Sequence, residues 1–276
     1  PAVLCTGAYC PPPTSPMPAF FYWTERASDG LAEKEARVVE TANRALRATG
    51  RPPDETFADI IRDAALFLSS YPEIEAYAPR AQFHDREPEY YGRTATTDVG
   101  LAPAWRAGAK HRVFGYVRGN NPPGRAAVEA CAALPPYWDA IVVAPGLDAA
   151  AQKELARPHL RILTEPARLD TVLRDCDVGV SHGSNGVASV YVAAGIPQVC
   201  LPLHAEQVMC ARAVATNGLA LGLVGRYGAK EIGEAIQRTV DLPHLKTKAE
   251  SVARRLRQAD LLRPGERIGK GLLGLI

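Results

Sequence analysis

Cys176-Asp-Val-Gly-Val-Ser-His182-Gly-Ser-Asn-Gly186-Val-Ala-Ser-Val-Tyr191-Val-Ala-Ala-Gly195-Ile-Pro-Gln-Val-Cys-Leu-Pro-Leu-His204-Ala-Glu-Gln207 reads as strand, glycine-rich turn, helix, strand and loop. Val178 and Val180 lie in a short apolar run that suits a buried parallel strand. The turn Gly183-Ser-Asn-Gly186 follows at once. In the next segment Val187, Val190, Tyr191 and Ala194 share one face at helical spacing. Gly195 stops that helix and Pro197 forbids its return. Gln198 to Leu201 then reads as a second buried strand.

Anion binding is the chemistry this pattern favours. A helix opened by glycines points free backbone N–H groups and the positive end of its dipole at whatever lies in front. Gly183 and Gly186 let a ligand approach the backbone closely. Ser184 offers a hydroxyl, Asn185 an amide, and His182 a ring nitrogen that can donate to a phosphate oxygen. In open α/β sheets, ligands sit outside the carboxyl ends of the strands. The plain alternative is a tight strand-to-helix turn with a capping Ser or Asn and a surface His. Spacing alone leaves both readings open.

Three linked pieces in order carry a resemblance: His182-Gly-Ser-Asn-Gly186, Ala194-Gly-Ile-Pro-Gln-Val199 and Leu201-Pro-Leu-His-Ala-Glu-Gln207. Together they resemble the donor-binding signature of the UDP-glycosyltransferase-like family (GT-B fold, family 1), in the flavour of bacterial enzymes that glycosylate macrolides and other natural products. The resemblance implies that His182, Gly183, Ser184, Asn185 and Gly186 hold the donor diphosphate. It implies that Glu206 and Gln207 bind sugar hydroxyls, with His204 lining the pocket beside them. Thr164 and Glu165, after an earlier strand, fall where that family cradles the nucleobase, and an ordinary strand exit is the alternative there. Arg118 and Asn120 end another strand at the same edge. One departure is Val187, where the family usually has a hydroxyl residue.

The totals bound the classes. The chain has 276 residues, 47% of them hydrophobic and 22% charged, with a net charge of +2. These are ordinary globular values, and so small a charge makes no case for nucleic acid. Six cysteines lack metal-ligand spacing, so no metal or cofactor is expected, and buried reduced thiols suit a cytoplasmic protein. No apolar run approaches ~20 residues, so no transmembrane helix is expected.

Elsewhere the chain divides near residue 108. The resemblance implies that residues 1–108 are a partial N-terminal, acceptor-side domain with its linker. They hold a strand at Val3–Thr6, a proline-rich exit, the aromatic run Phe20–Trp23, and a helix over Ala32–Thr49 with Ala36, Val39, Ala42 and Leu46 inward. A second helix follows over Phe57–Asp63 and a strand over Ala65–Ser70. Residues 109–276 alternate strand and helix, as a doubly wound parallel sheet requires. Strands are expected at Val113–Val117, Ala140–Ala144, Leu160–Leu163 and Leu219–Val224. Helices are expected at Arg125–Leu134, Gln207–Thr216 and Lys230–Val240. No Gly-x-Gly-x-x-Gly follows the first of these strands, which argues against a nicotinamide enzyme. The fold class is therefore α/β, and the resemblance implies that it is GT-B-like, with a complete C-terminal Rossmann-like sheet and a partial N-terminal acceptor domain.

The function that the resemblance implies is transfer of a sugar from a UDP- or dTDP-sugar to a hydroxyl of a small-molecule or lipid acceptor, without obligatory metal. The family's catalytic base lies early in the first domain, and neither His84 nor His111 matches its motif, so no catalytic residue is named. Pro1 opens the chain inside what reads as a strand, so the expected partners include an upstream segment or second chain that completes the first domain. Val3, Phe67 and the aromatic run are then expected to expose apolar surface. A split enzyme and a catalytically inert sugar-nucleotide-binding or interaction module stand as alternatives.

Overall fold

Short apolar runs rich in Val, Leu, Ile and Ala fold as strands, and the longer amphipathic runs between them as helices. The structure is a computed structural model that describes residues 2–6, 9–25, 28–62, 64–77, 89–94, 97–223, 225–259, 261–262 and 264–274. Pro1, Asp63, His84 and Val224, singled out above, lie outside these residues.

In the first hundred residues β1 (Ala2–Cys5) pairs in parallel with β2 (Ala65–Leu68). Between them in the chain come α1 (Leu31–Ala48) and α2 (Phe57–Arg62). The inward face of α1 differs from the expected apolar stripe. Val39 is buried, but its buried companions are Glu35 and Asn43, while Ala36 is exposed. The neighbouring loops have no strand to pair with, so their backbone groups need side-chain partners. Glu35 accepts from the N–H groups of Met17 and Phe57 at 3.0 and 3.1 Å. Asn43 exchanges two 2.8 Å bonds with the backbone of Asp54.

Next come β3 (His111–Tyr116), α3 (Pro122–Ala132), β4 (Trp138–Val143), α4 (Ala149–Leu155), β5 (Leu160–Leu163), α5 (Leu169–Val172), β6 (Val178–Ser181), α6 (Asn185–Ala194), β7 (Gln198–Cys200), α7 (Ala205–Thr216), β8 (Ala220–Gly222), α8 (Ala229–Asp241), α9 (Pro243–Gln258) and α10 (Pro264–Leu273). The helix expected at Arg125 begins instead at Pro122. Proline is tolerated in a first turn, where no intrahelical N–H bond is lost, and Asn121 caps it by accepting from the Gly124 N–H at 2.8 Å.

The strands form one six-stranded sheet in the order β5-β4-β3-β6-β7-β8, parallel throughout. Every residue of β4, β6 and β7 is buried, as expected where helices cover both faces. Alternate residues sort to the two faces. Val113, Ala140 and Val142 join Val128, Ile232 and Ile236 in one core, while Phe114, Ile141 and Val143 join Val190 and Tyr191 in another. Gly179 is required by this second core, because a Cβ there would lie 2.7 Å from the Tyr191 ring. The Tyr191 hydroxyl donates to the Phe114 carbonyl at 2.9 Å, which removes the cost of burying it.

A third core joins the two parts of the chain. Tyr71 and Ile74, just beyond β2, pack with Val192, Cys210, Val214 and Val252. Asn217 donates to the Glu73 carbonyl at 3.1 Å, and Arg255 pairs with the Glu73 carboxylate. The last helix then returns to the first strand pair, where Ile268 packs on Phe67 and Tyr91. Phe67 is therefore buried, contrary to the expectation of an exposed face. Phe20 and Phe21 are exposed, whereas Trp23 packs against Tyr77 and Met209 under the Arg212 guanidinium, 4.5 Å from its ring.

Each of the three cores contains buried thiols: Cys131 in the first, Cys176 in the second, Cys200 and Cys210 in the third. Burial pushes Cys131, Cys176 and Cys200 up to about 12, and Cys210 well above its ordinary value. Among the described residues no helix is long and apolar enough to cross a membrane.

Candidate functional site

The sheet order places β3 beside β6, and the chain leaves them in opposite directions, toward β4 from one and toward β7 from the other. A crevice forms at the carboxyl ends of two such strands, because their helices diverge to opposite faces. Here it is a cleft of about 700 Å³. Its walls are the exits of β3 (Tyr116 to Arg118, then Asn120) and β4 (Pro145, Gly146), His182 with Ser184 to Val187 from the turn, and the start of α7 (His204, Glu206, Gln207). Thr6 and Tyr9 close it from the end of β1. Seven of the eight positions expected to hold diphosphate and sugar thus line one cleft, and Gly183 is not among the lining residues. Thr164 and Glu165 are not among the lining residues and stand exposed beyond β5.

His182 is 7% exposed, and both ring nitrogens are bonded to backbone. Nδ1 lies 3.0 Å from the Leu201 carbonyl, which can only accept, and Nε2 lies 3.0 Å from the Arg118 N–H, which can only donate. The ring is therefore the neutral Nδ1–H tautomer. Burial lowers its pKa, the Leu201 carbonyl works against that shift, and Arg118 and His204 add to it. This corrects the expectation that a ring nitrogen donates to phosphate. His182 instead ties together the exits of β3, β6 and β7, which form the cleft floor.

The turn after it is shaped by Gly183, whose φ of +75° is a left-handed conformation that a side chain would strain. Its N–H donates to the Ser181 hydroxyl at 3.0 Å. Ser184 is the N-cap of α6 in extended conformation, and its side chain makes no cap bond. Asn185 departs from expectation as well. Its amide nitrogen donates to the Ser70 hydroxyl at 2.9 Å, so the side chain fastens α6 to the N-terminal part. The Asn185 N–H donates to Glu206 Oε1 at 3.1 Å. The N–H groups of Gly186 and Val187 have no protein partner among the described residues. A Cβ on Gly186 would meet nothing within 4 Å, so the backbone there is open to approach.

His204 is exposed at the N-cap of α7. Gln207, 8% exposed, accepts from the Leu203 N–H at 2.9 Å through Oε1, and its amide nitrogen has no partner among the described residues. Arg118 is the single Arg or Lys on the cleft wall, and Glu206 the single carboxylate, among the described residues. No cluster of three or more His, Cys, Asp or Glu stands ready for a metal ion among them either. Thr6, Tyr9, Pro145 and Gly146 were not anticipated as lining residues. Pro145 and Gly146 directly follow a strand, so the strand-end rule could have found them. Thr6 and Tyr9 depend on the packing of two distant segments.

No protein-family model matches the chain. The glycotransferase of kitacinnamycin superposes with a TM-score of 0.69 at 17% identity, over 85% of this chain and 62% of that one. The fold is that of the GT-B glycosyltransferases. A second structure with this GT-B fold, the spinosyn rhamnosyltransferase SpnG complexed with thymidine diphosphate, has a TM-score of 0.59 at 19% identity, over 87% of this chain and 64% of that one. Among curated proteins, the elloramycin glycosyltransferase ElmGT of Streptomyces olivaceus is 42% identical over 64 residues, 23% of this chain and 16% of the relative. The chain spans less than two thirds of the length of these solved GT-B structures.

Proposed function

We propose that the chain binds a nucleoside-diphosphate sugar, of the UDP or dTDP type, in the 700 Å³ cleft and serves transfer of the sugar to a hydroxyl of a small-molecule or lipid acceptor. The observation that carries this reading is the first turn of α6, whose Gly186 and Val187 N–H groups open into a cleft at the switch point of the sheet. Departure of a diphosphate concentrates negative charge, and fixed N–H donors, the α6 dipole and Arg118 meet that charge without a metal. Glu206, Gln207 and His204 stand where sugar hydroxyls would project. The acceptor enters from the side of Thr6 and Tyr9, in a first domain ending near residue 108, and the reaction takes place in the cytoplasm. SpnG, which has this fold, carries thymidine diphosphate in its solved complex, and that supports the choice of a pyrimidine donor.

A second reading rests on Val187, an apolar side chain at the third helical position of α6, packed against the Phe114–Tyr191 core. It makes the chain a binding module with a weakened anion site that performs no transfer. Calorimetric titration with UDP, dTDP and GDP tests the first reading. Saturable binding of a pyrimidine diphosphate is expected, and absence of binding by all three would remove the donor site from consideration.

A further inference from the structure

The cleft wall contains its own anion. Glu206 lies in the first turn of α7, yet its carboxylate reaches across to the start of another helix and accepts the Asn185 N–H at 3.1 Å. That N–H is one of the orphan donors opening α6, and the N-cap Ser184 side chain leaves it uncapped. Gly186 and Val187, the next two donors, lie on the same wall. Beside Glu206, the Gln207 side chain is more than nine-tenths buried and lines the cleft, and among the described residues its amide nitrogen has no protein partner, so a polar group there is left for something other than protein.

We propose that Glu206 is a specificity-determining residue that disfavours a bare nucleoside diphosphate and favours a sugar nucleotide. The inference rests on the donor-binding reading above. A diphosphate approaching α6 meets a carboxylate already held at the helix start, and like charges at that range repel. For a nucleoside diphosphate, the repulsion and the loss of the Asn185 bond are not offset. For a sugar nucleotide, the displaced carboxylate accepts hydrogen bonds from sugar hydroxyls, and the charge becomes useful. The same residue thus weakens retention of the leaving nucleoside diphosphate after transfer.

The test uses the full chain with UDP, dTDP, UDP-glucose and dTDP-glucose as probes, on wild type, Glu206→Gln and Glu206→Ala. The Gln variant keeps an acceptor oxygen for the Asn185 N–H and removes only the charge, so it decides the matter even if the Ala variant unfolds. Both variants are expected to bind the preferred nucleoside diphosphate roughly fivefold more tightly than wild type. The preference for sugar nucleotide over nucleoside diphosphate is expected to fall by at least as much. If the Gln variant binds nucleoside diphosphate no more tightly than wild type, the inference is overturned while the donor site stands. If wild type binds none of the four probes, both fall together.

Discussion

Gly186 separates stability from ligand binding, because a substitution there should move the two in opposite directions. It occupies the second helical position of α6, carries no left-handed φ, and a Cβ would find nothing within 4 Å. Gly186→Ala therefore gains helix propensity, about 0.5–1 kcal/mol, with no steric penalty. For a protein of this size each kcal/mol raises Tm by roughly 2–4 °C. Gly186→Asp adds a favourable charge in the first turn, worth ~0.3–1 kcal/mol, though the Glu206 carboxylate on the neighbouring N–H reduces that gain. The same carboxylate sits where the diphosphate must come. At about 5 Å, two unit charges repel by roughly 1 kcal/mol in water and about 3 kcal/mol at an effective dielectric constant of 20. Binding of dTDP or UDP should weaken at least tenfold in Gly186→Asp, with Tm unchanged or raised in both variants. Differential scanning calorimetry and titration on the same preparations provide both readouts. A Gly186→Asp protein that is stable and binds nucleotide as wild type does would refute the placement of the diphosphate at α6.

Ser70→Ala leaves the Asn185 amide buried without its 2.9 Å partner, so urea unfolding should show a loss of about 1–3 kcal/mol; an unchanged midpoint would mean the two parts are not fastened there. His182 has a pKa lowered below its ordinary 6.5, so the unfolded chain takes up its proton first as the pH falls. The stability contributed by the neutral ring is then present above 6.5 and lost as the pH falls through the lowered value, and Tm should decline across that window in wild type but not in His182→Gln. Identical pH profiles would contradict the lowered pKa of the buried ring. Val187→Thr keeps the shape and adds a hydroxyl beside two N–H groups, so nucleoside diphosphate should bind roughly three- to tenfold more tightly. Equal or weaker binding would show that Val187 does not face the ligand.

The parts legible in the sequence are those governed by local rules. The strand at Leu160–Leu163 falls where its apolar run predicts, and α6 stops at Gly195, whose φ of +74° is the left-handed cap that the Gly-Ile-Pro ending implies. The His182–Gly186 turn and the Glu206–Gln207 pair were legible as a set of neighbours, and all of them but Gly183 line one cleft. What each side chain touches was not legible, because the partners are distant in the chain. His182 bonds to Arg118, 64 residues away, and Asn185 to Ser70, 115 residues away. Neither separation leaves a trace in local periodicity. The inward face of α1 was misjudged for a related reason. Hydrophobic spacing finds apolar burial, whereas Glu35 and Asn43 are buried to satisfy loop backbone that periodicity does not register.

The four core thiols act as a distributed clock for opening. A thiol with its pKa near 12 is almost wholly protonated at neutral pH, and a buried one is shielded from reagent as well. Each becomes reactive only when its own layer opens. Cys131 reports the layer under α3 and α8, Cys176 the layer beneath α6, and Cys200 with Cys210 the junction between the two parts of the chain. Alkylation followed by peptide mapping would time the release of each layer separately and show whether the protein comes apart at its junction before its sheet.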